Sequence, residues 1–359
     1  MTLALSRRRF LAGSAAASGT LLLARPGFAA GPFKCAWVYV GPVGDFGYSY
    51  QHDLGRKAVA EHYGDQVATS FVEKVAEGPD ADRVIRQLAA SKNQLIFATS
   101  FGFMNSAVRV AKQFPKVKFE HATGYQTAPN LAVYNARFYE GRAVIGTIGG
   151  MMTKSGIVGY IASFPIPEVV MGINAFTLAA QKHRPDIRIK VVWVNSWYDP
   201  GKEADAAKAM IDQGADIIAQ HTDSPAALQV AEDRGVHAFG QSSDMSKFAP
   251  KAQLTAIVDD WGPYYIGEVK AVMDGSWKTH NVWLGLKEGM VVIAPYGPDV
   301  PPDVIKAADQ VKNGIIAGSL HPFDGPVTNQ AGEVVIPEGG HASDEQLLKM
   351  DWYVKGVQA

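Results

Sequence analysis

The chain has 359 residues, 47% of them hydrophobic, with 34 basic side chains against 35 acidic ones and a formal net charge of −1. That balance excludes a nucleic-acid or membrane-surface binder, since both need a basic excess. Beyond the first thirty residues about 330 remain, too many for one comfortable core and suited to two domains.

The N-terminus reads as an address. Ser6-Arg7-Arg8-Arg9-Phe10-Leu11 sets paired arginines before an uncharged run, Phe10 to Leu23, and Gly27-Phe28-Ala29 supplies small residues where a signal peptidase cuts. Residues 1–30 are therefore expected to be a twin-arginine leader, cleaved near Ala29/Ala30, that delivers the chain to the periplasm. The apolar run is too short for a membrane span of about 20 residues. The single cysteine, Cys35, has no partner for an internal disulfide, and Pro32-Phe33-Lys34 before it is not a lipidation context, so no direct membrane anchor is expected. Cys35 reads instead as a small apolar residue of the first strand.

From there strands and helices alternate. Cys35 to Val40 predicts a buried strand, Gly41 to Gly47 a turn, and His52 to Glu61 a helix. Val67–Val72, Leu95–Thr99 and Lys118–Ala122 follow as strands, separated by helices at Asp80–Ser91 and Ser106–Gln113. After a helix near Tyr139 to Met152 the pattern restarts: strands at 157–161, 189–194, 217–219, 237–239 and 254–258, with helices at 168–181, 203–213 and 226–234. This spacing predicts an α/β fold of two doubly wound, parallel-sheet lobes, with a ligand in the cleft beyond the strand ends.

The strand-end loops carry rings and polar groups: Gly44-Asp45-Phe46-Gly47-Tyr48, Ser100-Phe101-Gly102-Phe103, Asn195-Ser196-Trp197-Tyr198-Asp199, His221-Thr222-Asp223-Ser224 and Gln241-Ser242-Ser243-Asp244. Rings that stack on two faces and acids that fix an edge suit a planar heterocycle. The candidate ligand-binding residues are Tyr48, Ser100, Phe101, Trp197, Asp244, Asp45 and Asp223, with Asp244 foremost for accepting a ligand N–H. Asp45, Asp199 and Asp223 could equally cap the helices that follow them. Neither G-x-G-x-x-G after the first strand nor G-x-x-x-x-G-K-[ST] is present, and C-x-x-C, H-E-x-x-H and G-x-S-x-G are also missing, so no cofactor and no catalytic residues are assigned. His52, His121, His221 and His321 could form a metal site only by folding together, and none is expected.

The chain resembles the BMP (basic membrane protein) family of ABC-transporter substrate-binding proteins. The likeness lies in Val40-Gly41-Pro42-Val43-Gly44-Asp45, Ser100-Phe101-Gly102-Phe103, Ala136-Arg137-Phe138-Tyr139-Glu140-Gly141, Lys154 to Tyr160, Asn195 to Pro200 and Gln213-Gly214-Ala215-Asp216. The resemblance implies a type I periplasmic-binding fold with three crossings between lobes. One lobe would hold 31–136 and 259–285, the other 137–258 and 286–359. It also implies a ligand of the purine base or nucleoside class, stacked between Tyr48 and Trp197, and a permease partner in the inner membrane. Two positions depart from the family: Ser242 stands where many members have Asp, and Asp259 where nucleoside binders have a sugar-contacting Lys. These departures favour a free base, adenine-like, over a nucleoside. Rival readings are a ligand-sensing module and, less favoured, a periplasmic enzyme.

Overall fold

The computed structural model describes residues 31–359, and the expected leader lies outside them. The first sheet is begun by β1 (Phe33–Tyr39), α1 (Gly47–Tyr63), β2 (Val67–Val72), α2 (Pro79–Ala90), β3 (Leu95–Thr99), α3 (Met104–Gln113), β4 (Lys118–Ala122) and β5 (Leu131–Ala136). The chain then forms α4 (Phe138–Met152), β6 (Ile157–Ala162), α5 (Pro167–Gln181), β7 (Arg188–Trp193), α6 (Pro200–Asp212), β8 (Ile217–His221), α7 (Ala226–Arg234), β9 (His237–Ser242) and β10 (Gln253–Asp259). Last come α8 (Gly262–Asp274), β11 (Asn281–Leu284), β12 (Val291–Ile293), α9 (Pro302–Ile316), β13 (Val327–Thr328), β14 (Val334–Ile336), α10 (Asp344–Leu347) and β15 (Val357–Gln358).

Two large sheets result. The first has the order β11-β5-β4-β3-β1-β2, and every neighbouring pair is parallel. The second has the order β12-β10-β9-β8-β6-β7-β15, parallel except for β12 against β10. This is the expected α/β class. The chain passes between the sheets after β5, between β10 and α8, and between β11 and β12.

Parallel strands covered on both faces need apolar residues at nearly every position, and β1, β3 and β6 supply them. Alternation sorts the side chains: Val38, Ile96 and Ala98 cluster with α2 and α3 through Val84, Ile85, Ala107 and Val110. Trp37, Tyr39 and Phe97 point the other way, into a cluster with Val59 of α1 and Tyr265 and Val269 of α8. In the second sheet Ile161, Ile218 and Ala238 pack on α6 and α7, while Val158, Tyr160 and Phe239 join α4 and α5. Cys35 is fully buried in β1, and burial pushes its thiol up to about 12.

Crossing connections are tied down by Arg137, just before α4. Its guanidinium donates to both Asp344 oxygens at 2.7 Å and to the Trp283 carbonyl at 3.1 Å, and it lies 4.5 Å above the Trp283 ring. Residues from the first crossing, the third crossing and the C-terminal segment therefore meet at one cation. No helix among the described residues is long and apolar enough to cross a membrane.

Candidate functional site

The carboxyl ends of both sheets face one cavity, lined by Val40, Tyr48, Ser100, Phe101 and Thr123 from the first-sheet side. Phe138, Glu168, Trp197, His221, Asp223, Gln241 and Ser242 complete it. Its free volume is about 30 Å³.

Local backbone conformation aims the lining loops. Thr123, Asn195 and Ser242 stand at three strand ends with φ of 63°, 51° and 58°. Non-glycine residues seldom adopt this left-handed region, and such strain persists where surrounding structure holds a functional geometry. Gly47 has φ +78°, and its N–H donates to Ser243 Oγ at 2.7 Å across the cleft.

Tyr48, in the first turn of α1, is held by rings. It packs edge-on to His52 at 4.2 Å between centroids, and His52 stacks on Trp261 at 4.4 Å. The Tyr48 hydroxyl is buried with no hydrogen-bond partner among the described residues, and burial beside Glu168, Asp259 and Asp223 pushes its pKa far upward. Trp197 comes from the loop before α6 and packs on Phe164 at 5.2 Å. Its indole N–H donates to Glu77 Oε1 at 3.2 Å, and Glu77 also accepts from Ser100 Oγ and the Gly102 N–H.

Acidic groups gather on the polar side. Glu168 lies in the first turn of α5, where an acid complements the helix N-terminus. Its Oε1 is 3.6 Å from His221 Nε2, and its Oε2 has no partner among the described residues. Burial raises the Glu168 carboxyl to about 8, against the opposing influence of Arg142 and Asn135. Asp223 is likewise raised, by burial and by Glu203. Asp259, at the end of β10, is fully buried with neither carboxylate oxygen hydrogen-bonded among the described residues, and burial raises it. His221 is held neutral by burial and by Arg142. Arg142 is itself fully buried, donating to the Gln220 carbonyl at 2.8 Å and to Gln241 Oε1, beneath the Tyr160 ring.

Among the residues expected from sequence, Tyr48, Ser100, Phe101, Trp197 and Asp223 line this cavity, while Asp45 and Asp244 do not. Asp45 is exposed and paired with Lys247 across the cleft mouth. Asp244 is exposed, and its Oδ1 already accepts from the Ser246 N–H at 2.9 Å and from Gln253 at 2.8 Å, which closes a turn. Of the three possible helix caps, Asp199 is one, accepting from the Lys202 N–H at 3.1 Å. Glu168, His221 and Gln241 were missed as lining residues; Glu168 looks in sequence like any first-turn acid.

The histidines do not gather. His52 of α1 stacks on Trp261, His121 Nε2 bonds the Ser100 carbonyl at 2.8 Å, and His321 sits beside His341. Glu120, Glu268 and His280 bring ligating atoms within 4.8 Å of one another. Tyr264 and Trp277 already donate to Glu120 there, each at 2.7 Å, which accounts for a satisfied buried carboxyl without an ion.

A family model described as "ABC transporter substrate-binding protein PnrA-like" (Bmp) matches residues 33–319. A purine-binding protein of Brucella abortus is 60% identical over 324 residues, 90% of this chain and 92% of that one. A putative ABC transporter glucose-binding protein of Haloferax volcanii is 38% identical, over 90% of this chain and 80% of that one. In fold, an ABC transporter solute-binding protein of Aeropyrum pernix matches with a TM-score of 0.70 at 18% identity, over 81% of this chain and 93% of that one.

Proposed function

The chain belongs to the Bmp family of PnrA-like ABC transporter substrate-binding proteins, and from that premise we propose that it captures a purine base, adenine-like, in the periplasm and hands it to an inner-membrane permease. The observation that carries the reading is the cavity lined by Tyr48 from the first-sheet side and Trp197 from the second, with Glu168, Asp223 and His221 on its polar side. A ring stacked from both faces and bonded along its edge is what such a lining accommodates. The Brucella relative's name points to a purine.

Hinge closure is the proposed mechanism. The two halves part about the three crossings, the ligand docks on Tyr48, and the other half brings Trp197 over it. Only contacts made in the closed form favour closure, so a ligand must touch both sides. The leader at residues 1–30 supports export, and the same closed surface would serve a sensor as well as a transporter.

Titration calorimetry with adenine, adenosine and glucose tests the ligand. Adenine is expected to bind tightest. Tighter binding of adenosine would reject the free-base reading, and tighter glucose would favour the function named for the Haloferax relative. Loss of purine uptake on deletion separates transport from sensing.

A further inference from the structure

Glu168 occupies an unusual position for an acid. It reaches the cavity from the first turn of α5, at the end of β6. Its Oε2 is buried without a partner among the described residues, and its Oε1 is 3.6 Å from His221 Nε2, too far for a good hydrogen bond. The buried cation nearby, Arg142, spends its two terminal nitrogens on Gln220 and Gln241. An ionised carboxylate with one oxygen buried and unpaired would lack a directly bonded charge partner, so the neutral acid is favoured.

Every ionisable group around it agrees. Tyr48 of α1 stays a phenol, and Asp223 and Asp259 are raised by their own burial. His221 at the end of β8 is kept neutral. Arg142 of α4 and the Asn135 amide favour ionisation, and burial outweighs both.

We propose that Glu168 is the residue that reads the ligand's edge, and that it does so as a neutral carboxyl group selecting a ring nitrogen acceptor beside an amino group. This rests on the purine reading and narrows it to 6-aminopurines. A neutral carboxyl offers one O–H donor next to one C=O acceptor. A 6-aminopurine presents the mirror pattern, a bare ring nitrogen adjacent to an amino group. A carboxylate, with acceptors only, instead matches two adjacent donors, as on a 2-amino-6-oxopurine. A mismatch leaves a buried polar atom unpaired, which is how a site rejects a near-isostere.

Calorimetry of adenine and guanine binding from pH 6 to pH 9.5, on wild type and on Glu168→Gln and Glu168→Ala, tests this. In wild type, adenine affinity should be level up to about pH 8 and then fall by about tenfold per pH unit, while guanine gains. Glu168→Gln keeps a donor beside an acceptor but cannot ionise, so at pH 9 it should bind adenine about tenfold more tightly than wild type. Glu168→Ala should weaken adenine by about tenfold or more at pH 7. A flat wild-type profile, or Glu168→Gln as weak as Glu168→Ala at pH 7, overturns the assignment. Wild type that binds neither base would overturn the purine reading itself, a separate result.

Discussion

The Trp197 indole N–H reaches across the cleft to the Glu77 carboxylate at 3.2 Å, while the same side chain lines the ligand cavity. Glu77 simultaneously holds Ser100 Oγ at 2.6 Å and the Gly102 N–H at 3.1 Å. One exposed carboxylate thus joins a ring from the second-sheet side to the loop that carries Ser100 and Phe101. Glu77→Ala should speed adenine release by about two- to tenfold, the size of one solvent-exposed hydrogen bond, with little change in association rate. Stopped-flow displacement measures it. Trp197→Ala should cost about tenfold or more in affinity by calorimetry, with the melting temperature of the ligand-free protein unchanged.

Gly47 gives a steric prediction. A Cβ there would lie 2.5 Å from the Asp223 carbonyl oxygen of the opposite side, and the residue's φ is +78°. Gly47→Ala should therefore oppose closure, weakening adenine by about tenfold or more while circular dichroism stays native. Small-angle scattering with saturating adenine should show a larger radius of gyration than wild type. An equally compact liganded variant would refute the close approach.

Asp45→Asn and Asp244→Asn should each change adenine affinity by no more than about twofold. Asp45 makes an exposed ion pair with Lys247, a contact worth about 0–1 kcal/mol. Asp244 serves its own turn. Calorimetry on the two variants decides, and a large loss in either would restore it to the site.

The buried acids set the pH dependence of stability. Glu168 titrates at about 8 when folded and near 4.5 when unfolded. The folded state therefore keeps a proton that the unfolded state releases, and stability is lost as pH rises between those values. Asp223, Asp259, Glu140 and Glu203 are raised by burial and act in the same direction. The melting temperature of the ligand-free protein should fall from pH 5 to pH 8, and Glu168→Gln should shrink that fall. A melting temperature that rises steadily across this interval would contradict the assignment.

Much of this was legible in the sequence because the physics is local. Continuous apolar runs such as Leu95–Thr99 announce strands buried on both faces, and Val67–Val72, Lys118–Ala122 and Ala226–Arg234 fall at their observed limits. β5, with Tyr134 and Asn135 in its run, and the short edge strands β11 and β12 gave no such signal. Tyr48 and Trp197 stood out because large rings in strand-end loops lack a packing reason in the sequence. Glu168 did not, since a first-turn acid after proline is ordinary helix chemistry; only the tertiary fold reveals that its carboxyl is enclosed. Asp244 lies outside the cavity lining, and the Gln253 side chain that bonds its Oδ1 arrives from β10.

Cys35 has a practical corollary. The chain's one thiol is fully enclosed in a central strand and hard to ionise, so alkylating dyes and spin labels should pass it by. Engineered cysteines at two surface positions flanking the cleft could then carry a fluorophore pair on the otherwise native background, and the opening and shutting of single molecules could be watched directly.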